Sequence, residues 1–117
     1  MLAQYLDLTQ SFNANNGFKI DVSNYDYVVV QFVGPTGTIN ISATNDSGTP
    51  SAPYSYGYDA TSTNYQTVSA TKLADGTLVT SVAAAGLYRT NVVGRYLQYG
   101  GTSAAATKVL LQLSKIS

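Results

Sequence analysis

Short runs of alternating or continuous apolar residues recur along the chain, separated by clusters of Gly, Asn, Asp, Pro and Ser. Runs of this length that are rich in Val, Ile, Thr and Tyr are typical of β-strands. The pattern predicts eight or nine strands, and the candidates are Leu2–Leu8, Gly17–Val22, Tyr27–Val33, Thr38–Thr44, Gln66–Lys72, Thr77–Val82, Leu87–Val92, Arg95–Tyr99 and Lys108–Ser114.

No helix is predicted between these strands, and this absence decides how they pair. A parallel crossover needs about a dozen or more residues, usually in a helix, so short connections favour antiparallel pairing. The predicted fold class is therefore all-β, an antiparallel two-layer β-sandwich of eight or nine short strands, jelly-roll-like in type.

Turn signals punctuate the strands. Asn15–Gly17 suits positive φ angles, because Asn and Gly tolerate the left-handed region. Gly34–Gly37, Asp46–Gly48 and Ala74–Gly76 are each predicted to be hairpin loops.

Two strand patterns predict which side chains face the core. In Thr38–Thr44 the odd-numbered residues are Ile or Ala and the even-numbered residues are polar, so one face is buried and the other meets water. Tyr27–Val33 is apolar on both faces apart from Gln31, which is typical of a central strand covered on both sides.

The chain of 117 residues is long enough for one domain, and it has no cysteine to staple smaller units. We expect residues 1–9 to form an edge strand or an arm, and residues 49–63 to form a long loop. Six Lys and Arg balance six acids, and only 10% of the residues are charged. This charge pattern excludes a basic face for nucleic acid or anionic lipid. The first residues lack the pattern of a signal peptide or a membrane span, so we expect a product that stays in the cytoplasm.

Most catalytic chemistry is excluded by composition. Without His or Cys there is no Ser-His-Asp or Cys-His site and no zinc site built from nitrogen and sulfur. All six acids are aspartates, mostly next to turn residues, where capping is their usual role. Asn45–Gly48 offers only one carboxylate for calcium. We therefore expect no enzyme, no cofactor and no metal.

The ten tyrosines are the strongest compositional anomaly. Tyr54, Tyr56 and Tyr58 occupy alternate positions and share one side of the chain if it is extended. They either form a contact surface for a protein or a sugar, or cap the core of the sandwich. Protein contact is favoured over sugar because tryptophan is absent.

The N-terminal residues Leu2, Tyr5, Leu6 and Leu8 are a second candidate contact. By default such a segment pairs as an edge strand within its own domain, because exposed edges are normally covered. The alternative is that it reaches across to a neighbouring molecule.

Arg89 and Arg95 lie among tyrosines and aliphatic residues. We expect each guanidinium to stack on a ring or to pair with an aspartate, and contact with a partner is the alternative. In a regular strand Arg95 shares a face with Leu97 and Tyr99, whereas Arg89 faces water or an edge.

The order of these motifs resembles that of small β-sandwich virion proteins of tailed bacteriophages. The matching elements are Tyr27–Val33, Gly37-Thr38, Ile39–Asn45, Gly86–Tyr88, Gly94–Leu97, Gly100–Ala106 and Val109–Leu113, about three-quarters of the chain.

The resemblance implies a non-enzymatic structural protein of a virion that assembles in the host cytoplasm. Its expected role is a capsid decoration (cement) protein that binds the major capsid protein, or another virion protein, and its own copies as a homo-oligomer. The alternative is a receptor- or carbohydrate-binding module of a tail or head fibre. The predicted contact residues are Tyr54, Tyr56, Tyr58, Tyr5, Leu6, Arg89 and Arg95.

Overall fold

The strands form two antiparallel sheets packed face to face. The computed structural model describes residues 2–45, 54–55 and 64–116, and for residues 54–55 it describes the backbone alone. Within this part there are one helix and twelve short strands. They are β1 (Leu2–Asp7), α1 (Thr9–Asn15), β2 (Gly17–Asp21), β3 (Tyr27–Val33), β4 (Ile39–Thr44), β5 (Tyr54–Ser55), β6 (Gln66–Thr67), β7 (Ala70–Lys72), β8 (Leu78–Val79), β9 (Ser81–Val82), β10 (Gly86–Asn91), β11 (Tyr96–Gly100) and β12 (Lys108–Lys115).

The strand order is that of a jelly roll. Sheet A has the order β1-β12-β3-β10-β7-β8, and sheet B has the order β5-β2-β11-β4-β6, with β9 also pairing with β4. The first four strands alternate between the sheets and pair with later strands in reverse order: β1 with β12, β2 with β11, β3 with β10 and β4 with β6. A long hairpin rolled over on itself produces this connectivity. The predicted all-β, jelly-roll-like sandwich is confirmed.

Two predicted strands are divided between the sheets. The segment predicted as Gln66–Lys72 contains β6 in sheet B and β7 in sheet A, and Thr77–Val82 contains β8 in sheet A and β9 in sheet B. Alternation of apolar residues does not indicate which sheet a strand joins, so the sequence did not predict these two divisions. They raise the nine predicted strands to eleven, and the unpredicted β5 is the twelfth.

The turn predictions have mixed outcomes. Ala74–Gly76 closes the β7–β8 hairpin as predicted, with the Gly76 N–H donating to the Lys72 carbonyl at 2.8 Å. The prediction of a hairpin loop at Gly34–Gly37 is wrong, because this segment joins β3 in sheet A to β4 in sheet B. The loop predicted at Asp46–Gly48 lies outside the described residues.

Helix α1 was not predicted. The Asp7 carboxylate accepts hydrogen bonds from the backbone N–H and the hydroxyl of Thr9, at 3.0 and 2.6 Å, at the start of the helix. Asn16, at φ 59°, ends it, and this confirms the positive φ predicted there. Phe12 is the one buried residue of α1. No helix in the described part of the chain is long and apolar enough to cross a membrane.

The core lies between the two sheets and follows the predicted alternation for the most part. On β4 the odd-numbered Ile and Ala side chains are buried as predicted, but the even-numbered Thr44 is also buried. On β3 Val28, Val30 and Phe32 face the core with no exposed surface. The prediction that β3 is covered on both faces is wrong, because its outward side chains stay partly exposed.

Aromatic rings fill the centre of this core. The Phe12 ring lies edge-on to the Phe32 ring, with their centroids 5.7 Å apart, and Phe18 stacks on Tyr99 at 5.2 Å. The buried Tyr99 hydroxyl donates to Oγ1 of Thr90 at 2.6 Å. Tyr88 is also buried in this core, and Tyr96 is buried on the outer side of sheet B. The side chains of these three tyrosines, including their hydroxyl groups, are therefore buried and do not face a partner.

Candidate contact surface on the outer face of sheet A

The outer faces of the two sheets differ in exposure. On sheet B the outward residues Lys19, Tyr96 and Gln98 are 1–3% exposed. The Lys19 ammonium lies 4.6 Å from the centroid of the Tyr96 ring and 5.6 Å from that of Tyr65. The sequence analysis missed this buried lysine. Alternation along β2 predicts that Lys19 points away from the core, but it does not predict that other side chains bury it there. Sheet B is therefore largely closed to a partner at these positions.

Sheet A presents one continuous outward row across all six of its strands. The register aligns Tyr5 with Gln112, Gln112 with Val29, and Val29 with Arg89. It continues from Arg89 to Thr71 and from Thr71 to Leu78. The row runs in order through Tyr5, Gln112, Val29, Arg89, Thr71 and Leu78.

A second row lies beside the first. It aligns Asp7 with Leu110, Leu110 with Gln31, and Gln31 with Leu87. Between the rows is a shallow groove of about 220 Å³, which Tyr5, Val29, Gln31, Leu87, Leu110, Leu111 and Gln112 line. We call these two rows the A face.

The A face exposes large apolar side chains. Tyr5 is 72% exposed, Leu78 69% and Leu87 43%. Single exposed apolar residues are ordinary, whereas several on one sheet face make that face a candidate contact surface. Leu73, also exposed, follows β7 directly, and its N–H donates to the Leu87 carbonyl at 3.0 Å.

The two rows of the A face contain one positive and one negative side chain. The Arg89 guanidinium lies 4.0 Å from the centroid of the Tyr27 ring, so its position is fixed by stacking. At the opposite side of the face, hydrogen bonds from the Thr9 hydroxyl and backbone N–H lower the pKa of Asp7. The face as a whole is neutral and suits a partner surface without strong charge.

The predicted contact residues fall in different places. Tyr5 and Arg89 lie on the A face, whereas the half-buried Leu6 packs against the core. Leu2–Asp7 of the N-terminal segment pairs with β12 of the same chain. Tyr54 contributes its backbone to β5, opposite Ile20, and Tyr56 and Tyr58 lie outside the described residues.

Arg95 lies beside sheet B and not on the A face. Its Nε atom is 3.3 Å from Oδ2 of Asp21, and its guanidinium is 5.2 Å from the centroid of the Tyr96 ring. Burial of Asp21 raises its pKa, but hydrogen bonds from Ser23 and Arg95 outweigh burial and the pKa is lowered. The prediction of stacking or pairing with an aspartate is confirmed for Arg95. Its predicted place on the face of Leu97 is wrong, because β11 begins only at Tyr96.

A second groove, of about 380 Å³, lies at one end of sheet B. Among the described residues, its lining has no charged side chain and includes amides, a hydroxyl and two valines: Ala43, Thr44, Asn45, Asn64, Gln66, Val68, Val93 and Gly94. Oδ1 of Asn45 already accepts the Arg95 backbone N–H at 2.9 Å. This lining suits a neutral, hydroxyl-rich ligand.

The described residues contain no cluster of three or more acidic side chains that could hold a metal ion. The chemistry available on the A face is apolar contact, hydrogen bonding by Gln31 and Gln112, and a stacked arginine. These are the means of association between surfaces.

Comparison with known proteins shows a shared fold. The chain is similar to the crystal structure of the SPBc2 prophage-derived protein YomS, with a TM-score of 0.60 and 14% sequence identity. The similarity covers 96% of this chain and 92% of that chain. No protein-family model matches the sequence, and no curated protein matches it.

Proposed function

We propose that the chain is a non-enzymatic structural protein of a bacteriophage virion. Its role is that of a capsid decoration protein, which is assembled onto the particle in the host cytoplasm. In this proposal the A face docks on the major capsid protein. The open, neutral and partly apolar A face is the observation that carries the proposal.

The fold supports a phage origin. A jelly roll hosts many functions, so the fold alone names none of them. The similarity to a prophage-derived protein nevertheless extends over almost the full length of both chains. It agrees with the order of motifs that resembles small virion proteins of tailed phages.

The exposed side chains of the A face supply the energy for docking. Burying the roughly 150–250 Å² of a tyrosine yields about 4–6 kcal/mol at about 25 cal/mol per Å². Tyr5 is 72% exposed, so most of that gain is still available to an interface. Arg89 adds a stacked cation that needs little further ordering, since the Tyr27 ring already holds it. Aromatic and arginine side chains are the usual anchors of protein interfaces.

The test is cosedimentation of the purified chain with emptied shells of the phage that encodes it, combined with electron microscopy of the particles. We expect copies on the shell surface with the A face toward the shell. Leu87→Lys should weaken binding by at least about tenfold, because it removes apolar contact and buries a charge.

Val93→Lys is the matched control. Val93 is 65% exposed but lies at the groove of sheet B, so this variant should bind like the wild type. A chain that occupies no position in the virion contradicts the proposal. Equal binding by the Leu87 and Val93 variants contradicts the assignment of the A face.

The groove at the end of sheet B favours a second candidate function, a carbohydrate- or receptor-binding module of a fibre. Its amides from Asn45, Asn64 and Gln66 could hydrogen-bond to sugar hydroxyls. A glycan array distinguishes the two functions. Binding that Gln66→Ala abolishes supports the fibre module, and an empty array removes it.

A further inference from the structure

One edge of sheet A is unusually open. β1 has six residues and pairs with β12 alone among the described strands. An unpaired edge is a template for another strand, and proteins usually protect it with Lys, Pro, a bulge or a very short strand. Leu2–Asp7 contains neither Lys nor Pro, and Leu2 and Tyr5 are 67% and 72% exposed. The opposite edge, β8, has only two residues.

The hydrogen bonds show which backbone groups of β1 face outward. The Leu8 N–H donates to the Val109 carbonyl at 2.9 Å, in register with the β1–β12 ladder. Because antiparallel bonding alternates along a strand, the even-numbered residues of β1 direct their backbone groups to β12. The N–H and C=O groups of Ala3, Tyr5 and Asp7 therefore point to the open edge.

We propose that β1 of a second copy pairs antiparallel with this edge, around a two-fold axis at Tyr5. In this register Tyr5 lies opposite Tyr5 of the other copy, and Ala3 lies opposite Asp7. Every outward N–H and C=O of these residues then meets a partner, as an antiparallel ladder requires. Sheet A of one copy and sheet A of the other then form one continuous sheet of twelve strands.

Charge favours a second copy as the occupant. Asp7 is the only charged residue of Leu2–Asp7, and it lies at one end of the strand. A two-fold axis at Tyr5 places the two carboxylates at opposite ends of the joint, so no like charges meet. The same axis brings two exposed tyrosine rings side by side, where cross-strand aromatic pairs are favourable.

The size of the joint sets its strength. Six residues at about 3.3 Å each give a shared edge about 20 Å long. Such a joint buries less than the roughly 1,200–2,000 Å² of a stable complex, so association in solution is weak. Copies already bound to a shell have a high effective concentration, which strengthens a weak joint. The inference deepens the proposed function by naming the surface where copies meet, and in this respect it rests on that function.

The first test is sedimentation equilibrium of the isolated chain up to about 1 mM, the weak end of specific association. We expect the mean mass to rise from 12.3 kDa toward twice that value. Ala3→Pro should hold the chain monomeric, because it removes an outward N–H without touching the bonds to β12. Leu87→Lys should associate like the wild type, because its change lies on the A face and not at the edge.

A second measurement remains valid if Ala3→Pro fails to fold. The chain has no native cysteine, so Tyr5→Cys gives a single thiol. Paired Tyr5 positions would have Cα atoms about 5.5 Å apart, within reach of a short bismaleimide. Leu78→Cys, at the opposite edge, is the control, since its copies would lie about 50 Å apart at about 4.8 Å per strand.

Cross-linked dimer from Tyr5→Cys and none from Leu78→Cys supports the joint. A chain that stays monomeric at 1 mM, equal cross-linking of both variants, or association lost in Leu87→Lys but kept in Ala3→Pro overturns it. Because no shell is present, these outcomes are independent of shell docking. A chain that binds shells but never pairs through β1 refutes the joint alone, and one that pairs but occupies no virion refutes the proposed function alone.

Discussion

The hydrogen bond between Tyr99 and Thr90 ties the two sheets together inside the core. Tyr99 lies on β11 of sheet B and Thr90 on β10 of sheet A, and neither side chain has exposed surface. The Tyr99 hydroxyl donates to Oγ1 of Thr90 at 2.6 Å. Tyr99→Phe and Thr90→Val each remove one partner with little change in volume.

The expected cost of each change follows from burial. A buried polar group left without its partner costs about 1–3 kcal/mol, whereas replacing both partners with apolar groups can be nearly neutral. Thr90→Val should cost more than Tyr99→Phe, because it leaves the phenol buried without an acceptor. The double variant should be less destabilised than the sum of the single variants, with a coupling energy of about 1–2 kcal/mol.

Urea unfolding of the four chains measures this cycle. Each kcal/mol should also lower Tm by about 3–6 °C for a domain of this size. Additive effects within about 0.3 kcal/mol would refute the assigned hydrogen bond.

Alkaline unfolding gives an independent check on the same bond. Burial raises the pKa of Tyr99, and its bond to Thr90 offsets only part of that rise. The folded chain thus keeps a proton that the unfolded chain loses above about pH 10, so stability falls as pH rises further. Tyr99→Phe should lose this contribution and show a shallower alkaline slope. An unchanged slope would contradict the assignment.

Two further predictions concern acid stability and the glycines. Hydrogen bonds from a threonine two residues later hold the pKa of Asp7 and of Asp75 below the usual value. The stability that these two carboxylates contribute should therefore be complete above about pH 5 and should decline as pH falls through their lowered pKa values in the folded chain. Because the chain has no His, its stability should stay flat from about pH 5 to 8. Urea midpoints that rise toward acid pH would contradict this prediction. Gly101→Ala should destabilise by about 1–3 kcal/mol, because a Cβ there would lie 2.2 Å from the Thr38 carbonyl oxygen. Gly76 lies in open space at φ +76°, so Gly76→Ala should cost only about 1 kcal/mol of stability, and Gly76→Asn should cost less. Thermal melts in which Gly101→Ala is the milder change would contradict the steric reasoning.

The sandwich was predictable because each long strand carries its own burial pattern. Alternation alone predicts that the Ile and Ala residues of β4, and Val109, Leu111 and Leu113 of β12, point into the core. Helix α1 was not predictable in this way, since Phe12 is its one buried residue and a single apolar residue sets no period. Its stability comes from tertiary contacts, among them the two hydrogen bonds between the Asn13 side chain and the backbone of Ala106.

The candidate surface was only partly predictable. Tyr5 and Arg89 were named from their types and neighbours, but Leu78 and Leu87 were not, because neither stands out in sequence. Their common face exists only through the register of β10, β7 and β8. Lys19 is a residue for which the sequence suggests the wrong environment. A lysine in an alternating strand is expected to be exposed, but in the fold the rings of Tyr65 and Tyr96 lie against its ammonium group.

The same connectivity explains why β1 is suited to meet a second copy. A jelly roll pairs its first strand with its last, so β1 lies at the edge of sheet A and β12 beside it. Hydrogen bonds also fix the C-terminal end of β1. The Thr9 hydroxyl accepts a hydrogen bond from the Val109 N–H at 2.9 Å and donates one to the Asp7 carboxylate. Association by an edge that is already ordered loses little conformational entropy, whereas a loose arm would have to be ordered first. In the proposed virion role, a weak joint of this kind would gain its strength from repetition on the shell, and single copies in solution should exchange freely.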